Sequence, residues 1–114
     1  MVRIEIPLPT PSLNRYKRMH WGAQKRLRDQ YETLIRHQMR SLDRARPHQF
    51  RRVKIERYGS RLLDVDNFVG GCKPLIDALS RAGIIWDDSI RYVRVDYEQI
   101  KATAKTARTI VTIT

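Results

Sequence analysis

The chain gathers five of its twelve Asp and Glu residues between positions 64 and 88. Asp64 and Asp66 stand two residues apart, Asp87 and Asp88 are adjacent, and Lys73 lies between the two pairs. In an extended or half-extended backbone, side chains i and i+2 point the same way, so Asp64 and Asp66 are expected to converge. Converging carboxylates suit Mg²⁺, with Mn²⁺ as a substitute, while phosphate oxygens complete the shell. The pattern predicts a Mg²⁺ site, with Asp88 or Asp87 as the further ligand.

Each of these residues also has an ordinary structural interpretation. Asp and Asn are common before helices and in turns, where Asp64 and Asp66 would serve as caps. Lys73 is expected near the carboxylates, where it could stabilise charge developing in a transition state. It could equally form a salt bridge with Asp77, one helical turn further on. The sequence leaves both roles open.

The charge of the chain is strongly asymmetric. The net charge is +11, and residues 1–63 contain 16 Lys and Arg against 5 Asp and Glu, whereas residues 64–114 contain 7 of each. Such a basic half is typical of proteins that bind along a nucleic-acid backbone, since each neutralised phosphate releases a counterion and so adds to the affinity. A solvated helix face is the alternative. Charge does not distinguish DNA from RNA. Clustered carboxylates in a basic chain favour a nuclease, because they could hold a metal ion beside a bound nucleic acid.

Hydrophobic periodicity predicts an α+β fold with the order β-α-β-α-β-β. Two helices are expected to pack on one face of a small mixed sheet. The helix at 21–42 is amphipathic, with Leu27, Tyr31 and Ile35 on its apolar side. The predicted elements are a strand at 2–6, a loop through Ser12 to His20, a helix at 21–42, a strand at 50–58, a helix from Lys73 to Gly83, and strands at 91–100 and 108–114.

Length and composition narrow the class of protein further. A chain of 114 residues predicts one domain, 1–114, whose small core would gain from self-association. One cysteine, Cys72, excludes an intrachain disulfide framework and, with no apolar run for a signal peptide or membrane span, favours the cytoplasm. The three histidines offer no ligand pair at zinc spacing.

Several motifs in order resemble those of the RusA-like endodeoxyribonucleases, which resolve Holliday junctions. The likeness covers most of the chain, and its motifs are Pro9-Thr10-Pro11-Ser12-Leu13-Asn14-Arg15-Tyr16, Asp64-Val65-Asp66-Asn67, Lys73, Asp77-Ala78-Leu79, Ala82-Gly83 and Trp86-Asp87-Asp88. Lys73 follows Asp66 by seven residues rather than the family's four. Gly70 and Gly71 could absorb the extra length by looping out.

The resemblance implies a homodimeric, Mg²⁺-dependent nuclease of DNA recombination and repair. Asp64, Asp66 and Asp88 would be the metal ligands and Lys73 the catalytic lysine, with branched DNA as the substrate. Basic residues of the first half would hold its arms, and Tyr16 or Trp21 could stack at the open crossover. The predicted nucleic-acid-binding residues are Asn14, Arg15, Tyr16, Lys17, Arg18, Lys25 and Arg28. A non-catalytic binder that keeps this fold, and an RNA-binding protein, remain the alternatives.

Overall fold

A computed structural model describes all residues from Met1 to Thr114 and has a four-stranded mixed sheet at its centre. The strand order is β1-β4-β2-β3, in which β2 and β3 run parallel and the other two pairs antiparallel. The predicted α+β class is therefore confirmed. The elements are β1 Val2–Ile6, α1 Leu13–Arg18, α2 Trp21–Gln38, β2 Arg51–Gly59, α3 Val65–Gly71, α4 Lys73–Ala82, β3 Val93–Lys101 and β4 Arg108–Ile113, with short 3₁₀ turns at Ser41–Asp43 and Ala104–Thr106.

The alternation of side chains gives the sheet two unlike faces. Val53 and Ile55 of β2 are buried, whereas Arg52 and Lys54, which alternate with them, are exposed, as the sequence pattern predicts. The buried face joins α2 and α4 in one hydrophobic core that includes Ile35 and Leu79. The opposite face carries exposed ion pairs, for example Lys54 with Glu98. The helices thus cover one face, as expected for a layered α+β fold.

Two short helices were not predicted from the sequence. The stretch expected to be a loop contains α1, whose first turn is capped by Ser12, which accepts a hydrogen bond from the Arg15 N–H at 3.1 Å. The stretch after Asp64, expected to be extended, is α3. In both cases a capping residue satisfies the free N–H groups of a helix too short to show a periodic apolar stripe.

The boundaries of the long elements need smaller corrections. Helix α2 ends at Gln38 rather than near Leu42, which is 86% exposed and belongs to the following 3₁₀ turn. The predicted stop of α4 at Gly83 is confirmed, because Gly83 has φ 81° and ends the helix in the left-handed conformation. No helix of the structure is long and apolar enough to cross a membrane.

A buried polar group ties the Pro9–Pro11 segment to the sheet. Thr10 is fully buried, and its N–H donates to Thr109 Oγ1 at 3.1 Å. Its carbonyl accepts from Arg57 Nε at 2.8 Å, and its hydroxyl lies 3.8 Å from the thiol of Cys72. These contacts from β2, β4 and the residue after α3 fix the position of the Pro9–Pro11 segment. Helix α1, which follows this segment, is therefore held beside α3.

Candidate functional site

Asp64 occupies the N-cap of α3. Its carboxylate accepts hydrogen bonds from the Asn67 backbone N–H at 3.2 Å and the Asn67 side-chain amide at 2.6 Å. The side-chain amide of Asn67 is the main reason that the pKa of Asp64 is lowered. The capping interpretation is therefore correct for Asp64. Asp66 lies in the first turn of α3, so the expected extended arrangement of the two acids is wrong, although both remain exposed.

Asn67 also connects the acids to the basic helix α1. Its side-chain oxygen accepts a hydrogen bond from the Asn14 backbone N–H at 3.2 Å. One amide thus binds Asp64 with its nitrogen and the start of α1 with its oxygen. Asn67 was not among the predicted site residues, and its position three residues after an N-cap aspartate was the signal for this role.

Gln99 of β3 fixes the backbone just before Asp64. Its side-chain amide accepts from the Leu63 N–H at 2.9 Å and donates to the Leu63 carbonyl at 2.8 Å. Both backbone groups of the residue before the cap are thereby satisfied from the sheet. Sequence reasoning did not identify Gln99, because nothing local indicates a partner 36 residues away.

Gly70 and Gly71 do not loop out; they form the last turn of α3. A Cβ on Gly71 would lie 2.0 Å from the backbone oxygen of Pro11, and one on Gly70 would lie 2.7 Å from the Leu13 side chain. The glycines let the Pro11–Leu13 backbone approach α3. Helices α3 and α4 then follow each other with only Cys72 between them, which places Lys73 at the start of α4.

Lys73 contacts two carboxylates. Its ammonium lies 3.2 Å from Asp77 and 3.2 Å from Asp88, which confirms the predicted pairing with Asp77. The hydrogen bond to Asp88 is the first cause, and that to Asp77 the second, of a raised pKa of Lys73. The same ammonium lowers the pKa of Asp88. These three residues are called the lysine cluster below; its side chains are one-third to two-thirds exposed.

The structure does not gather the predicted metal ligands into one set. Asp64 and Asp66 lie at the start of α3, whereas Asp88 belongs to the lysine cluster and Asp87 precedes it in the same turn. No group of three or more His, Cys, Asp or Glu side chains is arranged to hold a metal ion. Asp88 is instead neutralised by Lys73.

The predicted nucleic-acid-binding residues lie on α1 and α2, and most are free to contact a ligand. Tyr16 is half-buried and its hydroxyl accepts a hydrogen bond from Arg28 at 3.0 Å. Lys25 is paired with Asp29 at 2.8 Å, and Trp21 is 74% exposed. Exposed positions are taken by Asn14, Arg15, Lys17 and Arg18.

Arg28 brings the basic surface to the lysine cluster. It lines a shallow cavity of about 320 Å³ together with Asp77, Asp88, Ser80 and Arg81. Arg28 of α2, Arg81 and Asp77 of α4, and Asp88 of the following turn therefore face one recess, which only the tertiary structure reveals.

An aromatic cluster supports the turn that carries Asp87 and Asp88. The His48 ring lies 5.2 Å from Trp86 and 5.7 Å from Tyr92, and its Nδ1 is 3.2 Å from the Tyr92 hydroxyl. His48 has φ 61°, a left-handed conformation that is uncommon outside glycine. These contacts hold the two ends of the turn, and the sequence did not predict them.

The cap at Asp64 gives a testable stability effect. Asp64→Ala is expected to lower the melting temperature slightly, and by more than Asp66→Ala, because Asp66 makes no capping bond. A carboxyl whose folded pKa is depressed adds stability above its unfolded pKa, and this is lost as the pH falls through the folded value. The deficit should be full at pH 7 and smaller at about pH 3, which lies below the unfolded pKa near 3.9. Thermal unfolding followed by circular dichroism at both pH values measures it, and equal melting temperatures of the two variants at neutral pH would contradict the cap.

Comparison with known proteins gives no family for the chain. No protein-family model matches it, and no curated protein sequence matches it. The RusA-like resemblance therefore stays a prediction that depends on the order of its motifs.

Proposed function

We propose that the protein is a Mg²⁺-dependent endodeoxyribonuclease that cuts phosphodiester bonds in branched DNA, with the Holliday junction as its substrate. The position of the acidic segment between cationic elements carries this proposal. Asn67 links Asp64 to α1, and Arg28 of α2 faces the same recess as Asp77 and Asp88. A surface that holds phosphates next to carboxylates is what hydrolysis of a polyanion requires.

The chain's own residues divide into binding and reacting groups. Arg15, Lys17, Arg18 and Arg28 hold the DNA backbone, while Lys25 contributes less because Asp29 already pairs with it. The Lys73 ammonium stays charged at neutral pH, because its raised pKa lies above the usual lysine value. A fixed positive charge beside the scissile phosphate stabilises the negative charge that develops in the transition state.

Mg²⁺, or Mn²⁺ in its place, is the proposed cofactor, with Asp64, Asp66, Asp88 and Asp87 as candidate ligands. A divalent cation supplies charge neutralisation and water activation in phosphodiester hydrolysis. These carboxylates do not form one ligand set in the structure. The proposed roles of Lys73 and the arginines follow from their own positive charges and do not depend on where the ion binds.

A homodimer suits this activity, since two symmetric sites can nick opposite strands of a four-way junction. We place the protein in the cytoplasm, in recombination and repair. Its one cysteine, Cys72, is buried and unpaired, as thiols are in reducing compartments.

A non-catalytic binder of branched nucleic acid is the second candidate. The observation in its favour is the lysine cluster, in which Asp88 is neutralised by an internal cation rather than left free for a metal. Such a protein would retain the fold and the basic surface without cutting.

The proposal predicts Mg²⁺-dependent, symmetric nicks in a four-way DNA junction and none in a linear duplex of the same sequence. Asp66→Asn should reduce cleavage by about 10²-fold or more while junction binding is retained, since the amide removes a negative ligand but no phosphate contact. End-labelled junction, incubated with and without Mg²⁺ and resolved on a denaturing gel, measures the cutting.

Glu98→Gln is the matched control, because it removes an exposed carboxylate from the open face of the sheet. It should cut like the wild type. Junction binding without cleavage in either Mg²⁺ or Mn²⁺ would refute the nuclease and support the binder.

A further inference from the structure

Strand β3 leaves one edge of the sheet open. It is the last strand in the order and pairs only with β2. The pairing is continuous from Arg51 opposite Val93 to Gly59 opposite Lys101, and the strand contains no proline. A nine-residue edge without a bulge or proline lacks two of the usual devices that prevent strands from pairing with another chain.

The hydrogen bonds of β2 determine which groups of β3 remain free. The Arg51 N–H donates to the Tyr92 carbonyl at 2.9 Å. In a parallel pair of strands, alternate residues direct their N–H and C=O groups to the neighbouring strand, so this bond shows that the even-numbered residues 92 to 98 bond to β2. The N–H and C=O groups of Val93, Val95 and Tyr97 therefore point away from the sheet.

An apolar groove follows the same edge. It encloses about 630 Å³, and Phe50 and Ile90 on it are 51% and 94% exposed. Val93, Val95 and Tyr97 form its floor beside Lys73 and Asp88. An almost fully exposed isoleucine next to an open strand edge indicates a surface that is covered in the assembled protein.

We propose that a second copy of this chain covers this edge, and that the two β3 strands pair antiparallel about a two-fold axis at Val95. In this register Val95 faces Val95 of the partner subunit on the groove side. On the open face Arg94 lies opposite the partner's Asp96, and by symmetry Asp96 lies opposite the partner's Arg94. Two attractive cross-strand pairs result.

The neighbouring registers place like charges together. Free backbone groups must meet free backbone groups, so the strands can shift only to axes at other whole residues. An axis at Arg94 sets that arginine against itself, and an axis at Asp96 sets that aspartate against itself. An axis at Tyr97 sets Asp96 against the partner's Glu98. An axis at Val93 sets Arg94 against the partner's Tyr92 and forms no ion pair. Among these axes, only the one at Val95 forms pairs of opposite charge without placing like charges opposite each other.

This pairing would join the two four-stranded sheets edge to edge, with the helices of both copies on the same side. The grooves that contain Lys73 and Asp88 would then meet across the axis. That two sites act on one DNA rests on the proposed nuclease function, whereas the interface itself does not.

Sedimentation equilibrium of wild type and charge variants tests the interface. Either single variant, Arg94→Asp or Asp96→Arg, places like charges opposite each other across the axis. Each should weaken the association of the dimer on the order of tenfold or more. An equimolar mixture of the two single variants restores opposite charges at both pairs and should recover dimers. Recovery also demonstrates that each variant folds. Arg3→Asp, on the open face of β1 at the opposite edge of the sheet, is the control and should leave association unchanged.

A wild-type protein that is monomeric at 100-fold the concentration used for DNA cleavage overturns the interface. So does a dimer that Arg94→Asp leaves intact, or a mixture that fails to recover. Because association is measured without DNA, these results are independent of whether the protein cuts junctions.

Discussion

Gly71→Ala is expected to destabilise the protein by about 3 kcal/mol, because the new methyl group collides with backbone rather than with a side chain that can move. The Cβ would lie 2.0 Å from the Pro11 carbonyl oxygen and 3.1 Å from the Leu13 nitrogen. To relieve this clash, α3 and the Pro11–Leu13 segment must move apart, which also disturbs the hydrogen bond between Asn14 and Asn67. The melting temperature should fall by roughly 10 °C.

Gly22→Ala is the matched control within α2. A Cβ there would lie 3.3 Å from the His20 ring nitrogen, and alanine favours a helix over glycine. Its stability should change by less than about 1 kcal/mol in either direction. Chemical denaturation of both variants gives the comparison; a Gly71→Ala protein as stable as Gly22→Ala would show that the close approach of α3 to Pro11 does not exist.

Lys73→Met is expected to reduce junction cleavage on the order of 10²- to 10³-fold, because it removes a fixed positive charge from the reacting phosphate. A purely structural salt bridge predicts another result. The Lys73 side chain is 67% exposed, and exposed ion pairs contribute less than about 1 kcal/mol, so stability should hardly change. Rates under single-turnover conditions and unfolding curves, measured on the same protein, separate the two roles.

Lys54→Met is the control, since Lys54 is also an exposed, ion-paired lysine with a raised pKa. It should retain full cleavage. The pKa of Lys73 is raised in the folded protein, so its ion pairs are fully formed below the unfolded pKa near 10.5 and are lost only as the pH rises above the folded value. A cleavage rate for Lys73→Met within threefold of wild type between pH 7 and 9 would show that Lys73 does not stabilise the transition state.

Long elements were predictable because their side chains repeat over many residues. The alternation in β2 correctly indicated that Val53 and Ile55 are buried, and the apolar stripe of α2 correctly indicated that Tyr31 and Ile35 are buried. Gly83 correctly indicated the end of α4. Helices α1 and α3, with six and seven residues, are too short for such a pattern. Their signals were the caps Ser12 and Asp64, which sequence reasoning assigned to a loop and to a metal site.

The sequence by itself determined the α+β class, the acidic segment and the basic first half, because these follow from composition and local periodicity. It allowed a pairing of Lys73 with Asp77 by their spacing, and the structure shows that pair. Only the tertiary structure decided which distant residues meet. Gln99 reaches Leu63 across 36 residues, and Lys73 reaches Asp88 across 15. The structure also does not bring Asp64, Asp66 and Asp88 into one metal-binding group, and it leaves the β3 edge open. These outcomes depend on how helices dock on a sheet, and no local spacing encodes the direction of that docking.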